Sequence, residues 1–144
     1  MIAPLECVIA WLRQDAALAE LVGSRIASKH RYGEEADSMR WSTDQASLTV
    51  RLDGGQPDLY VPLQNVRLEV RCYAPSQYLA SRIWQRVVEV SRETSRQPVL
   101  TSGGAALLHR LNQESSASML YDRDLGLDLV LVFLSALVGE EALT

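Results

Sequence analysis

The sequence predicts an α+β fold: a mostly antiparallel sheet of four to five strands, with an N-terminal helix and a central helix packed on one face. Three observations carry this. Residues 66–73 alternate apolar and polar without a miss, which puts Val66, Leu68, Val70 and Cys72 on one strand face and Arg67, Glu69, Arg71 and Tyr73 on the other. After Ala74-Pro75-Ser76 the period changes, and Leu79, Ala80, Ile83, Trp84, Val87 and Val88 recur at helical spacing. Further strand-like runs at 47–52, 105–112 and 125–134 then surround this helix with hairpins, the pattern of an α+β layer.

Taken in order, the chain opens with Pro4, which suits a first helical turn because its missing N–H has no intrahelical partner there. Leu5, Val8, Ile9 and Leu12 mark one helical face. Asp15 reads as a cap that restarts the helix, Leu18, Leu21 and Val22 form the next apolar set, and Gly23 ends it. Residues 24–28 fit a short strand or an extended arm. From 29 to 46 no periodicity survives, and a structureless stretch of this length is usually functional or mobile. Its Trp41 fits two roles, a cap on the edge of the core or an anchor that docks against a partner.

Residues 47–52 form a second alternating strand, and 53–58 carry turn chemistry. Pro62 belongs at an edge or bulge because it cannot donate to a central ladder. Ser76 is the expected N-cap of the central helix, which should run to about Glu93. Burying Ile83, Trp84, Val87 and Val88 should contribute roughly 1.5–3 kcal/mol each before entropy is subtracted. Residues 95–104 read as a connector and 113–124 as a long polar loop. The last strand, 125–134, alternates at first and is then apolar on both faces, as expected at a sheet centre or an interface. Residues 139–144 read as a flexible tail, and the whole chain, 1–144, as a single domain.

Composition narrows the function. The net charge of −4 argues against a general nucleic-acid binder. The basic residues are thirteen Arg and one Lys, a bias that either reflects gene composition or suits bidentate ion pairs at interfaces. Cys7 and Cys72 form neither a disulfide framework nor a metal site and read as buried thiols in a reducing compartment. The N-terminal pattern, with Glu6, Arg13 and Asp15, is unlike a secretory leader. The apolar run 129–134 is too short to span a bilayer as a helix.

No catalytic constellation emerges. His30 and His109 are the only histidines, neither lies in a metal-spaced pair, and His109 sits within a strand pattern. Asp122, Asp124 and Asp128 lack the spacing of a calcium loop. The glycine pairs beginning at Gly54 and Gly103 lack a strand–glycine–helix context and read as turns. The expected function is therefore non-enzymatic, without metal or cofactor.

Three segments carry a resemblance. They are Asp15-Ala16-Ala17-Leu18-Ala19-Glu20-Leu21-Val22-Gly23-Ser24-Arg25-Ile26; then Val66-Arg67-Leu68-Glu69-Val70-Arg71-Cys72-Tyr73-Ala74 with the helix after it; then Tyr121-Asp122-Arg123-Asp124-Leu125-Gly126 leading into the last strand. In this order and spacing they resemble the tail-completion or tail-terminator family of long-tailed bacteriophages and phage-like particles. The chain lacks the proline-rich entry to the second strand that is common in that family.

The resemblance implies a structural virion protein located in the tail or neck and assembled in the host cytoplasm. It would form a ring, expected to be a hexamer, that ends the tail tube and joins it to the head-side connector. Its partners would be further copies of itself, the tail-tube protein and the connector, with DNA only as transiting cargo and no membrane. Candidate interface residues are Trp41; the charged strand row Arg67, Glu69 and Arg71; the helix residues Arg82, Arg86 and Glu89; Tyr121 and Asp122; and Leu131 and Phe133 of the last strand. Alternatives are another neck or head-closure protein, or a small cytosolic ligand-binding regulatory domain.

Overall fold

The computed structural model describes residues 3–30, 44–57 and 63–140, with the backbone alone at 55–57. In chain order the elements are α1 (Pro4–Arg13), α2 (Ala16–Val22), β1 (Ile26–Ala27), β2 (Ser47–Pro57), β3 (Leu63–Ala74), α3 (Gln77–Glu93), β4 (Gln97–Thr101), β5 (Gly104–Gln113), β6 (Ser118–Asp122) and β7 (Leu127–Glu140).

Local chemistry sets the helix ends. Pro4 occupies the first turn of α1. The Asp15 carboxylate accepts a hydrogen bond from Leu18 N at 2.9 Å, so the N-terminal region is two helices, α1 and α2, where one was expected. Gly23 closes α2 at φ 60°, a backbone state that a residue with Cβ resists. Ser76 caps α3 as predicted, its Oγ accepting from Leu79 N at 3.3 Å.

The strands form one sheet in the order β1-β2-β3-β7-β5-β4, with β6 also paired to β7. Among the described residues only β1 and β2 run parallel; every other pair is antiparallel. β7 lies at the centre. One edge pairs with β3 over twelve residues, from Leu63↔Gly139 to Ala74↔Asp128. The other edge pairs with β5 through Leu134–Glu140 and with β6 through Leu127–Leu131. β5 and β6 are thus two segments of one interrupted strand along the same edge. The break is held to β7 by Glu114 N donating to Phe133 O at 2.8 Å and Phe133 N donating to Ser115 Oγ at 3.2 Å.

The helices and one sheet face build the core. Cys7, Val8 and Leu12 of α1, Leu18 and Val22 of α2, and Ala80, Ile83 and Val87 of α3 share a cluster with Leu68, Val70 and Cys72 of β3 and Val130, Val132 and Leu134 of β7. These strand residues alternate and so face one side. The other face of β7 contributes Leu127 and Leu129, which pack with Tyr73. The second apolar face of the last strand is thus covered in part by this small cluster, which Leu125 and Leu131 also join.

Among the described residues there are seven strands, against the four to five expected, and three helices. β4 lies within the stretch read as a connector; it is an edge strand of five residues that includes Pro98, tolerable there because an edge need not donate outward. β6 lies within the stretch 113–124 read as a loop. Ser118 to Tyr121 are all exposed, and a strand open on both faces leaves no alternation to read. β7 runs on through Gly139 and Glu140, where a flexible tail was expected, because Gly139 is still paired with both β3 and β5 and Glu140 with β5. Residues 31–43 of the loop read over 29–46, and 141–144 of the tail, lie outside the described residues.

Leu134 is fully buried in β7, whereas Leu100 of β4 is 79% exposed. Leu134→Ala should lower unfolding free energy by about 2–5 kcal/mol, from lost transfer energy plus a cavity. Leu100→Ala should stay within about 0.5 kcal/mol of the parent. Urea unfolding followed by circular dichroism checks both.

Candidate interface surfaces

Three sets of candidate residues can be placed. The first lies on the sheet face away from the helices. The register sets Glu69 opposite Phe133 and Arg71 opposite Leu131, so Arg67, Glu69, Arg71, Leu131 and Phe133 come together on one surface. Their charges are largely spent within the chain. Arg71 Nε donates to Glu69 Oε1 at 2.6 Å, and its Nη1 reaches Tyr73 OH at 3.4 Å. The Arg67 guanidinium lies 4.3 Å from the Phe133 ring centroid and 3.6 Å from both Asp53 and Glu114. This surface is a half-buried apolar stripe roofed by internally paired charges. The Arg67 contacts are exposed, so they contribute little to stability.

The second set lies on α3. Arg82, Arg86 and Glu89 border a cleft of about 270 Å³ with Ala17, Glu20 and Leu21 of α2. Arg86 turns inward. Its Nη2 and Nε donate to the two Asp15 carboxylate oxygens at 2.6 and 2.8 Å, and its Nη1 donates to Glu89 Oε2 at 3.0 Å. The Arg86 and Asp15 side chains are 22% and 15% exposed. The forked bond to Arg86 holds the Asp15 carboxyl below its ordinary 3.8, against the cost of burial and with help from Leu18 N. The cap of α2 is thereby clamped to the middle of α3. Arg82 instead lies 6.0 Å from the Tyr78 ring centroid.

The third set is the β6–β7 hairpin. Asp122 Oδ1 accepts from Asp124 N at 2.9 Å and Leu125 N at 3.0 Å, and Gly126, at φ 68°, donates to Asp122 O at 2.8 Å. Asp122 therefore shapes the turn. Tyr121 is 60% exposed. Trp41 lies outside the described residues.

The sequence reading passed over several exposed apolar residues: Leu52, Tyr78, Leu100, Met119 and Leu120. Leu52 alternates like a core residue, and only its position near the sheet margin exposes it. Met119-Leu120-Tyr121 did carry a signal, three apolar residues together inside an otherwise polar stretch. A groove of about 480 Å³ runs beside this hairpin, between Val88, Ser91 and Arg92 of α3 and residues 111–116.

The titratable chemistry is that of structural groups. Burial pushes the Cys7 thiol up to about 11 and the Cys72 thiol higher still, the opposite direction from an activated nucleophile. His30 packs edge-on against Tyr73 with ring centroids 5.2 Å apart; burial lowers its pKa, and nearby Asp122 opposes that shift. Among the described residues, no group of three or more His, Cys, Asp or Glu side chains can hold a metal ion. No helix among them is long and apolar enough to cross a membrane.

Asp15→Ala removes a cap and half of a charge-assisted fork, and should destabilise by about 1–3 kcal/mol. Because the folded-state pKa of Asp15 lies below its unfolded value, its contribution is complete above the unfolded pKa and is lost as pH falls through the folded one. The stability gap between parent and Asp15→Ala should accordingly narrow on acidification below about pH 4. Urea titrations between neutral and acid pH measure it.

No family model matches the chain, and no curated protein sequence matches it. Among solved structures, it is similar to a chain of one described as "Virion of native gene transfer agent (GTA) particle". The TM-score is 0.54 at 17% sequence identity, over 90% of this chain and 89% of that one. At that identity the likeness establishes a shared fold across nearly the whole length of both chains.

Proposed function

We propose that the chain is a structural, non-enzymatic protein of a phage-like particle, and within that class a tail terminator. On this reading it forms a ring that ends the tail tube and joins it to the head-side connector. The observation that carries the proposal is the shared fold with a virion chain over 90% of the sequence. The three ordered segments noted in the sequence point the same way independently. A net charge of −4 suits a lumen that DNA crosses without being held.

The partners on this reading are copies of the same chain, the tail-tube protein and the connector. A closed ring requires one patch to meet a different patch on the next copy. The surfaces described above suit such contacts better than they suit chemistry. The hairpin exposes Met119, Leu120 and Tyr121, the strand surface leaves Leu131 and Phe133 half-buried, and the charged groups are largely paired within the chain.

The purified protein should form annuli in negative-stain images and bind free tail tubes. Light scattering that shows a monomer both alone and with tail-tube protein would overturn the ring. Binding to the connector but not to tubes would reassign it to another neck position. The groove of about 480 Å³ beside α3 favours a second reading, a small-ligand module. That reading requires a metabolite to raise the melting temperature, with no self-assembly.

A further inference from the structure

We propose that successive copies join by sheet extension, the open edge of β6 in one copy pairing antiparallel with the open edge of β2 in the next. This rests on the ring reading above and supplies its contact. It follows from how the sheet margins are protected. Natural edge strands usually carry Lys, Pro, bulges or very short lengths that prevent pairing with another chain. β1 is only two residues long, and β4 contains Pro98. β6 has no such device: Ser118-Met119-Leu120-Tyr121-Asp122 contains no Lys, Arg or Pro and exposes three apolar side chains. Among the described residues it pairs only with β7.

The matching edge lies across the sheet. β1 pairs with β2 at Leu48 and Thr49, so among the described residues the margin beyond Val50 is open until the register shift after Leu52. Leu52 there is 51% exposed.

Direction, face and charge agree. β2 is antiparallel to β3, β3 to β7 and β7 to β6, so β2 and β6 run in opposite directions. A rotation about an axis along the strands preserves direction, so β6 of one copy meets β2 of the next antiparallel. The register through β3 and β7 puts Leu52, Met119 and Tyr121 on the helix-bearing face, and Arg51 and Asp122 on the opposite one. Setting Arg51 opposite Asp122 therefore sets Leu52 opposite Tyr121, an opposite-charge pair next to an apolar pair. The two edges differ in sequence, as a heterologous, ring-closing contact demands.

The test uses Leu52→Cys and Tyr121→Cys in the full-length chain, where Cys7 and Cys72 are fully buried. A mixture of the two single variants should form a disulfide-linked pair on mild oxidation, and the double variant should form a ladder. Neither single variant should cross-link alone. Leu52→Lys and Met119→Lys, both at exposed positions, should keep the parent melting temperature. Each should raise the concentration needed for half-assembly by about tenfold or more.

Three results overturn the proposal, and they separate it from the ring reading. Normal annuli without the Leu52–Tyr121 cross-link would leave the ring standing and remove this contact. Cross-linking of Tyr121→Cys alone would show a two-fold pairing of β6 with itself. A parent protein that stays monomeric with tail tubes would remove both readings.

Discussion

The twelve-residue antiparallel pairing of β3 with β7 is the constraint on which the rest of the fold depends. Successive side chains of a strand point to opposite faces, so this one register decides what each face becomes. It lines up Leu68, Val70 and Cys72 with Leu134, Val132 and Val130, a continuous apolar floor for α1 and α3. It also sets Glu69 and Arg71 beside Phe133 and Leu131 on the far side. A slip by one residue would present charge to the helices and leave the floor in water. β7 then offers its other edge to β5 and β6, so a single strand templates both halves of the sheet.

The helix layer is secured to this floor mainly by burial, and a few directional contacts fix its geometry. The Arg86–Asp15 fork joins α3 to the cap of α2. Trp11 Nε1 donates to Thr94 Oγ1 at 3.0 Å, linking α1 to the C-terminal end of α3. Glu6 accepts from Ser102 N at 2.6 Å and Ser102 Oγ at 2.9 Å, holding α1 to the β4–β5 turn. From residue type alone, these side chains would suit contacts with a partner. Arg86 carries such a charge yet serves within the chain. The outward surface is correspondingly redrawn: the charges of the strand row pair within the chain, and among the described residues the strand margins at Leu52 and Met119–Tyr121 expose apolar groups.

Much of this fold was legible in the sequence where burial differs between the two faces of an element. The alternation over 66–73 marked β3, helical spacing marked α3, and Ser76 and Asp15 announced the caps. Candidate surface residues were legible as a class, since Arg67, Glu69 and Arg71 fall on the face opposite the core residues. Their partners were not legible. Asp53 and Glu114 lie far from Arg67 along the chain, and only the β2–β3 and β5–β7 pairings bring them near.

By itself, then, the sequence determined the α+β class, the central helix and its cap, and the inward face of the long strands, because each follows from local periodicity or a side chain bonding a few residues away. The tertiary structure alone decided the insertion of β7 between β3 and β5, the existence of β4 and β6, and which partners Arg67, Arg71 and Arg86 take. Strand order depends on pairing between distant segments; β6, exposed on both faces, carries no burial contrast, and β4 buries a single residue, Val99. β6 combines both conditions: a run of residues without readable period became a strand only because β7 offered it a backbone to pair with.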